Sequence, residues 1–398
     1  MSTISSFPGT KIGYNPIKLI LRLYAEFLAA KKQNNMLVEL NHDFKPTLKH
    51  FRNLSRTAVI NLSILGSVFL FVLYVLPISF LLKLLLALGL GLLITVPILS
   101  QFFLFGLPIL AWVFLFFSAG KIPTSWKPPI SVKILPSMET ILYGDDLSDV
   151  LASYTSKPLD FVAWFPYGIV HFAGPFVVAA LVWLFGPPTA LRSFGWSFGY
   201  MNLVGVAIQQ IFPAAPPWYK NLYGLQPANY AMKGSPGGLG RMDGYFGVDL
   251  YTTNFSNAPV IFGAFPSLHS GISTMNALWL SYLFPKYSAY FACYVCWLWW
   301  STMYLTHHYF FDLTAGSVLA VTFFFVAKYQ WLPLRKAECF CRFNYYRLEY
   351  EDTLQNDPLN YEARLNMNDA VELDDVTSSG ESTPVDDDAT VESSLFTA

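Results

Sequence analysis

Charge is what this chain is short of. Only 13% of its 398 residues are Asp, Glu, Lys or Arg, while 54% are hydrophobic; soluble domains carry roughly 25% charged residues. That balance excludes an ordinary soluble enzyme. The net charge of −1 excludes the basic footprint of a nucleic-acid binder. Cysteine is scarce too. The four present, Cys293, Cys296, Cys339 and Cys341, form no disulfide framework, and no Cys/His group has zinc-site spacing. No metal or other cofactor is expected. The first 56 residues lack an early apolar core, which excludes a cleaved signal peptide, so the first span serves as its own insertion signal.

What is abundant is apolar sequence. Between Thr57 and Ala119, 63 residues contain one charge, Lys83. A span needs about 20 apolar residues, so this block holds three helices joined by tight turns, with two long tilted spans as the competing count. Further runs at about 161–186, 194–213, 270–285, 287–306 and 309–329 bring the total to eight. The expected fold is therefore an all-α polytopic membrane protein, a helical bundle of about eight transmembrane helices. Its domains are a cytosolic N-terminal region (1–56), a transmembrane catalytic domain (57–331) and an acidic, disordered cytosolic tail (332–398).

Cationic residues orient the bundle. Residues 1–56 carry nine Lys/Arg against three Asp/Glu; Arg192 and Lys286 sit in short loops, and Arg335, Lys336, Arg342 and Arg347 follow the last span. Positive residues stay on the cytosolic side. Eight spans with both termini cytosolic satisfy all these sites and put loop 214–269 and the 307–309 turn in the lumen. The sequon Asn254-Phe255-Ser256 agrees.

Outside the spans, residues 17–32 read as an amphipathic helix, lying on the membrane or packed on the protein's own cytosolic face. The tail holds fifteen acids and five bases, with Ser378, Ser379 and Thr383 as phosphorylation candidates. The acids Asp145, Asp146 and Asp149 read as a solvated helix face. Cys339 and Cys341 read as free thiols, with palmitoylation as the alternative. Trp218 and Tyr219 read as aromatic-belt residues, and His171 as bonding a neighbouring helix.

Chemistry concentrates in two blocks, "AFPSLHSG" (264–271) and "THHYFFDLTAGS" (306–317). Ser267 is placed to cap the helix that follows it. The free N–H groups of a helix start attract phosphate, and His269 stands beside them. His308 and Asp312 are four apart and share a helix face. A carboxylate on one ring nitrogen raises the basicity of the other, which makes His308 a nucleophile candidate. His307 points elsewhere. Three ionisable groups at membrane edges are expensive and usually functional.

A Pro-Ser-x-His block followed by Ser301…His308…Asp312 resembles the type 2 phosphatidic acid phosphatase superfamily. The resemblance implies His308 as nucleophile, Asp312 as its orienting carboxylate and His269 as the acid that protonates the leaving alcohol. "FPAAPPWY" (212–219), "MKGSPGGLGR" (232–241), "FGAFPSLHSG" (262–271) and "MYLTHHYFFDL" (303–313) are similar to one branch, the fungal inositol phosphorylceramide synthases. That likeness runs over roughly residues 50–335. It implies transfer of phosphoinositol from phosphatidylinositol to ceramide, a small regulatory membrane subunit as partner, and residence in the Golgi membrane.

The sequence departs from the broad superfamily at two points. Thr302 stands where arginine usually follows the serine. The phosphate clamp, usually Lys-x6-Arg-Pro, is matched only by Lys233…Arg241 with Met242 following. A phosphodiester carries one negative charge where a monoester carries nearly two, so a reduced clamp of Lys233, Arg241 and the Ser267 helix start suits a transferase acting on diesters. The alternatives are a lipid phosphate phosphatase, a ceramide phosphotransferase with another donor, and a non-catalytic membrane scaffold.

Overall fold

The computed structural model describes residues 16–32, 42, 44–52, 54–330, 332, 335 and 339–347. Among these the protein is helical throughout, with only isolated bridges at Ser131–Ala214 and Ala214–Gly263. The phosphorylation candidates in the tail lie outside the described residues.

The first apolar block is three helices, as the turn-joined reading expects: α3 (Arg56–Val75), α4 (Phe80–Thr95) and α5 (Pro97–Ser118), preceded by α1 (Pro16–Lys32) and α2 (Phe44–Arg52). Ser55 and Ser79 accept bonds from the Ala58 and Leu82 N–H groups, capping α3 and α4. Pro97 sits at the first position of α5, where its missing N–H costs nothing. After the short helices α6 (Ile134–Tyr143) and α7 (Leu147–Ala152), the next apolar run is α8 (Lys157–Trp164), a π turn at Phe165–Val170, and α9 (His171–Phe185). Then come α10 (Ala190–Ile211), three short helices α11 (Pro217–Tyr223), α12 (Gly240–Phe246) and α13 (Tyr251–Ser256), and finally α14 (Leu268–Leu283), α15 (Ser288–Tyr304) and α16 (Phe310–Gln330). Each expected apolar run is helical. Among the described residues, four stretches are long and apolar enough to cross a membrane: Arg56–Val75, Phe102–Lys121, Lys157–Phe185 and Phe310–Gln330.

Helix α10 is the axis of the bundle, packed along α5 on one side and α16 on the other, and α14 packs against α16, α15 and α9. Its core joins Phe194, Phe198 and Met201 of α10 to Met275 and Trp279 of α14 and Phe324 of α16. Trp279 is fully buried and donates its indole N–H to the Ser197 hydroxyl at 3.2 Å, which satisfies the one polar atom such a ring brings inside. Gly316 lets α16 touch the start of α14: a Cβ there would meet the Ser267 carbonyl oxygen at 2.0 Å.

Two surface expectations are corrected. Asp146 and Asp149 both pair with Lys220 at 2.6 Å, so they link α7 to α11 instead of forming a solvated face. Trp218 and Tyr219 are buried against Phe262, not displayed in a belt, because the prolines before them turn the chain inward. Cys339 and Cys341 are buried, which removes the accessibility that lipidation requires. The N-terminal helix packs on the protein through Phe27, Ala30, Cys341 and Phe343, with Asn344 donating to Glu26 at 2.6 Å. Its opposite stripe of Ile17, Ile20, Leu21 and Tyr24 is exposed.

Candidate active site

His308 precedes α16 by two residues, and its placement is a helix-start problem. The Tyr309 carbonyl accepts the first helical bond, from Leu313, which makes Tyr309 the N-cap. Its phenol ring cannot cap the free N–H groups behind it. Two carboxylates do so. Asp312, at the third helical position, accepts from the Tyr309 N–H at 3.1 Å, half of a capping box. Glu139 of α6 accepts from the Phe311 N–H at 2.8 Å. The Asp312 oxygen left over accepts from His308 Nδ1–H at 3.0 Å. One carboxylate thus fixes both the helix start and the imidazole.

With the proton on Nδ1, His308 Nε2 carries the lone pair. It lies 2.9 Å from His269 Nδ1, so the proton between the two rings belongs to His269. His269 enters from α14, whose N-cap Ser267 accepts from the Ser270 N–H at 3.3 Å. The Ser267 N–H donates to the Asp312 carbonyl at 3.0 Å, tying the two helix starts together. Ser267 and Asp312 are fully buried, and His308 nearly so. The arrangement is a relay, Asp312–His308–His269, with a basic nitrogen facing a proton donor. A phosphorus centre that displaced this contact by parting the rings would meet a nucleophile on one side and an acid on the other.

The turn between α15 and α16 presents these groups, and it is stitched from four directions. Ser148 Oγ donates to the Met303 carbonyl at 2.8 Å. The Gly238 N–H donates to the Leu305 carbonyl at 2.9 Å, and the Trp218 N–H to the Thr306 carbonyl at 2.8 Å. His307 points away from His308 and bonds the Pro236 carbonyl at 2.9 Å through Nε2. Burial pushes the His307 pKa down to about 3, so it is a neutral donor to that carbonyl. Gly237, at φ +49°, approaches so closely that a Cβ would sit 2.6 Å from the Leu305 oxygen. Gly237 and Gly238 of "MKGSPGGLGR" serve this contact, while Gly234 lies against the Phe255 carbonyl. Thr302, where the superfamily usually has arginine, is buried, and its carbonyl accepts from the His307 N–H at 2.9 Å.

The clamp candidates are placed differently from each other. Arg241 gives Nε and Nη2 to Asp160, with contacts of 2.6–3.0 Å. Asp160 also accepts from Tyr304 at 2.8 Å and Tyr245 at 2.9 Å. Nη1 of Arg241 takes no part in that fork. Lys233 is exposed in the loop that leads into α12, the helix that carries Arg241. Among the described residues no His/Cys/Asp/Glu group could hold a metal ion.

Sequence reasoning missed the roles of four residues. Glu139 is fully buried, with Oε2 unpartnered among the described residues. Burial pushes its pKa up to about 7 against the Phe311 N–H, and the charges of Asp146 and Asp312 add to the rise. Tyr167 and His171 flank His269, with ring centroids 4.6 and 4.5 Å away; the expectation that His171 bonds a neighbouring helix is replaced by a ring contact inside the site. A tyrosine and histidine four apart in an apolar run were the available signal. Asp160 offered none beyond being the acid that opens the span.

A family model described as the PAP2 superfamily matches residues 143–326. The chain is 51% identical over 370 residues to the inositol phosphorylceramide synthase of Candida albicans, covering 92% of this chain and 78% of that one. It is 55% identical over 295 residues to the catalytic subunit of the Saccharomyces cerevisiae inositol phosphorylceramide synthase, 74% of each chain. The Schizosaccharomyces pombe catalytic subunit is 50% identical over 252 residues, 63% of this chain and 60% of that one. No solved structure matches the chain.

Proposed function

Since the chain belongs to the inositol phosphorylceramide synthase family, we propose that it moves phosphoinositol from phosphatidylinositol to ceramide through the Asp312–His308–His269 relay. The products are inositol phosphorylceramide and diacylglycerol. The observation that carries the chemistry is the 2.9 Å contact between His308 Nε2 and His269 Nδ1. In the first half-reaction Nε2 of His308 attacks phosphorus, the P–O bond to diacylglycerol breaks, and His269, protonated on both ring nitrogens for this step, gives its Nδ1 proton to the leaving oxygen. Asp312 balances the charge that develops on His308. In the second, neutral His269 takes the ceramide hydroxyl proton, the alkoxide attacks phosphorus, and the P–N bond to His308 breaks. Burial of the histidines keeps water from the phospho-histidine and favours transfer over hydrolysis. The free edge of Arg241, exposed Lys233 and the Ser267-capped helix start hold the single phosphodiester charge.

The protein is a multi-pass membrane enzyme acting on lipids. At finer scale we propose eight spans, both termini cytosolic, the relay on the lumenal face and residence in the Golgi membrane. The cationic residues 1–56 and the sequon in loop 214–269 support that orientation. A small regulatory membrane subunit is proposed as partner; two relatives are themselves named catalytic subunits.

The test is reconstitution in liposomes with head-group-labelled phosphatidylinositol, with and without ceramide. Label arriving on ceramide with diacylglycerol released is the expected result. Label released to water identifies a hydrolase instead.

A further inference from the structure

The apolar run Lys157–Phe185 is broken near its middle by the π turn Phe165–Val170. Such turns weaken the helical ladder and concentrate at functional sites. This one sets Tyr167 against His269, and the Tyr167 ring also lies 5.3 Å from His307. It is wedged between the two histidine-bearing segments. Tyr167 is 2% exposed, yet its hydroxyl has no hydrogen-bond partner among the described residues. Other tyrosines show what a satisfied hydroxyl looks like: Tyr304 donates to Asp160 and Tyr219 to the Gln226 carbonyl. Packing gives no reason for the Tyr167 oxygen, since a phenylalanine ring fills the same space. A buried hydroxyl left unpaired is costly, and its partner must come from outside the folded chain.

We infer that Tyr167 is a substrate-contacting residue, donating its phenol O–H to an acceptor oxygen of the lipid bound beside His269. Resting on the proposed function, the geometry narrows which oxygen. Tyr167 reaches the site from a membrane-spanning run and touches the acid–base histidine. Its partner is therefore on the lipid side of the reacting P–O bond. The ester carbonyls of diacylglycerol and the amide carbonyl of ceramide both lie there, and both accept. One phenol thus serves both half-reactions, holding the leaving and then the entering alcohol against His269 Nδ1.

The test pairs two measurements on Tyr167→Phe. Turnover is read in liposomes with labelled phosphatidylinositol and ceramide, and the midpoint of thermal unfolding in delipidated detergent. Removing a hydroxyl that only substrate satisfies lowers turnover by ~10-fold or more and raises the unfolding midpoint by about 1–3 °C. Unchanged turnover overturns the inference. So does a fall in turnover without the rise in midpoint, since that marks a hydroxyl with a structural partner. Unmutated protein in the same vesicles separates the two levels. If it transfers label and Tyr167→Phe matches it, only this inference fails; if it transfers none, the proposed function fails and this inference with it.

Discussion

Asp312 does two jobs with two oxygens, and the jobs have different sensitivities. One oxygen caps the Tyr309 N–H, which an amide oxygen also does. The other accepts from His308, which an amide nitrogen does not. Asp312→Asn should therefore fold, keep its abundance and lose about 10²–10⁴-fold in turnover, because the imidazole loses the tautomer that puts a lone pair on Nε2. His308→Ala should have no measurable turnover. Normal activity in either variant, measured as label transfer per mole of protein, contradicts the relay. Glu139 gives a different signature. An acid whose folded pKa is raised, here from 4.5 to about 7, binds more protons folded than unfolded. Its contribution to stability falls as pH rises through that window and is flat outside it. Glu139→Gln keeps an oxygen for the Phe311 N–H and removes the titration. The midpoint of thermal unfolding should tilt in the variant's favour from about pH 5 to about pH 8; parallel curves would show that Glu139 does not titrate there.

Elements explain how much of this was legible beforehand. The apolar runs announced their helices because hydrophobic length is a one-dimensional signal, and even the split of residues 57–119 follows from Ser79 and Pro97. His308 and Asp312 were legible because a four-residue spacing survives at a helix start. The contact of His269 with His308, 39 residues apart, came from family likeness and not from spacing. Glu139 and Asp160 were illegible because what they bond, Phe311 and Arg241, lies 172 and 81 residues away. Gly237 approaches the Leu305 backbone, so it acts on the turn that presents His308. Gly237→Ala should accordingly cost about 1–2 kcal/mol from the positive φ alone, and more from the 2.6 Å approach to the Leu305 oxygen. Turnover should fall at least as steeply as the unfolding midpoint, whereas Gly244→Ala, inside α12 where a Cβ meets nothing within 4 Å, should leave turnover unchanged without lowering the midpoint.

At the scale of the whole molecule, catalysis depends on which side of the membrane the relay faces. Loop 214–269 carries the exposed Asn254 sequon on α13 and also the stitching residues Trp218 and Gly238. If that loop is lumenal, Asn254 is open to glycosylation, and protein from a eukaryotic host should shift in mobility on glycosidase treatment. Asn254→Gln should abolish the shift. A glycan gained instead by a sequon engineered after Arg347 would invert the orientation. The central claim joins all three scales: phosphoinositol passes through His308 inside a dry bundle. The direct measurement is to incubate the reconstituted enzyme with head-group-labelled phosphatidylinositol and no ceramide, quench in alkali, and look for label on the protein. The account predicts an acid-labile label on wild type that is absent from His308→Ala and moves to ceramide when ceramide is added. Protein that stays unlabelled while turning over normally with ceramide present would contradict it and leave His308 as the base in a direct displacement.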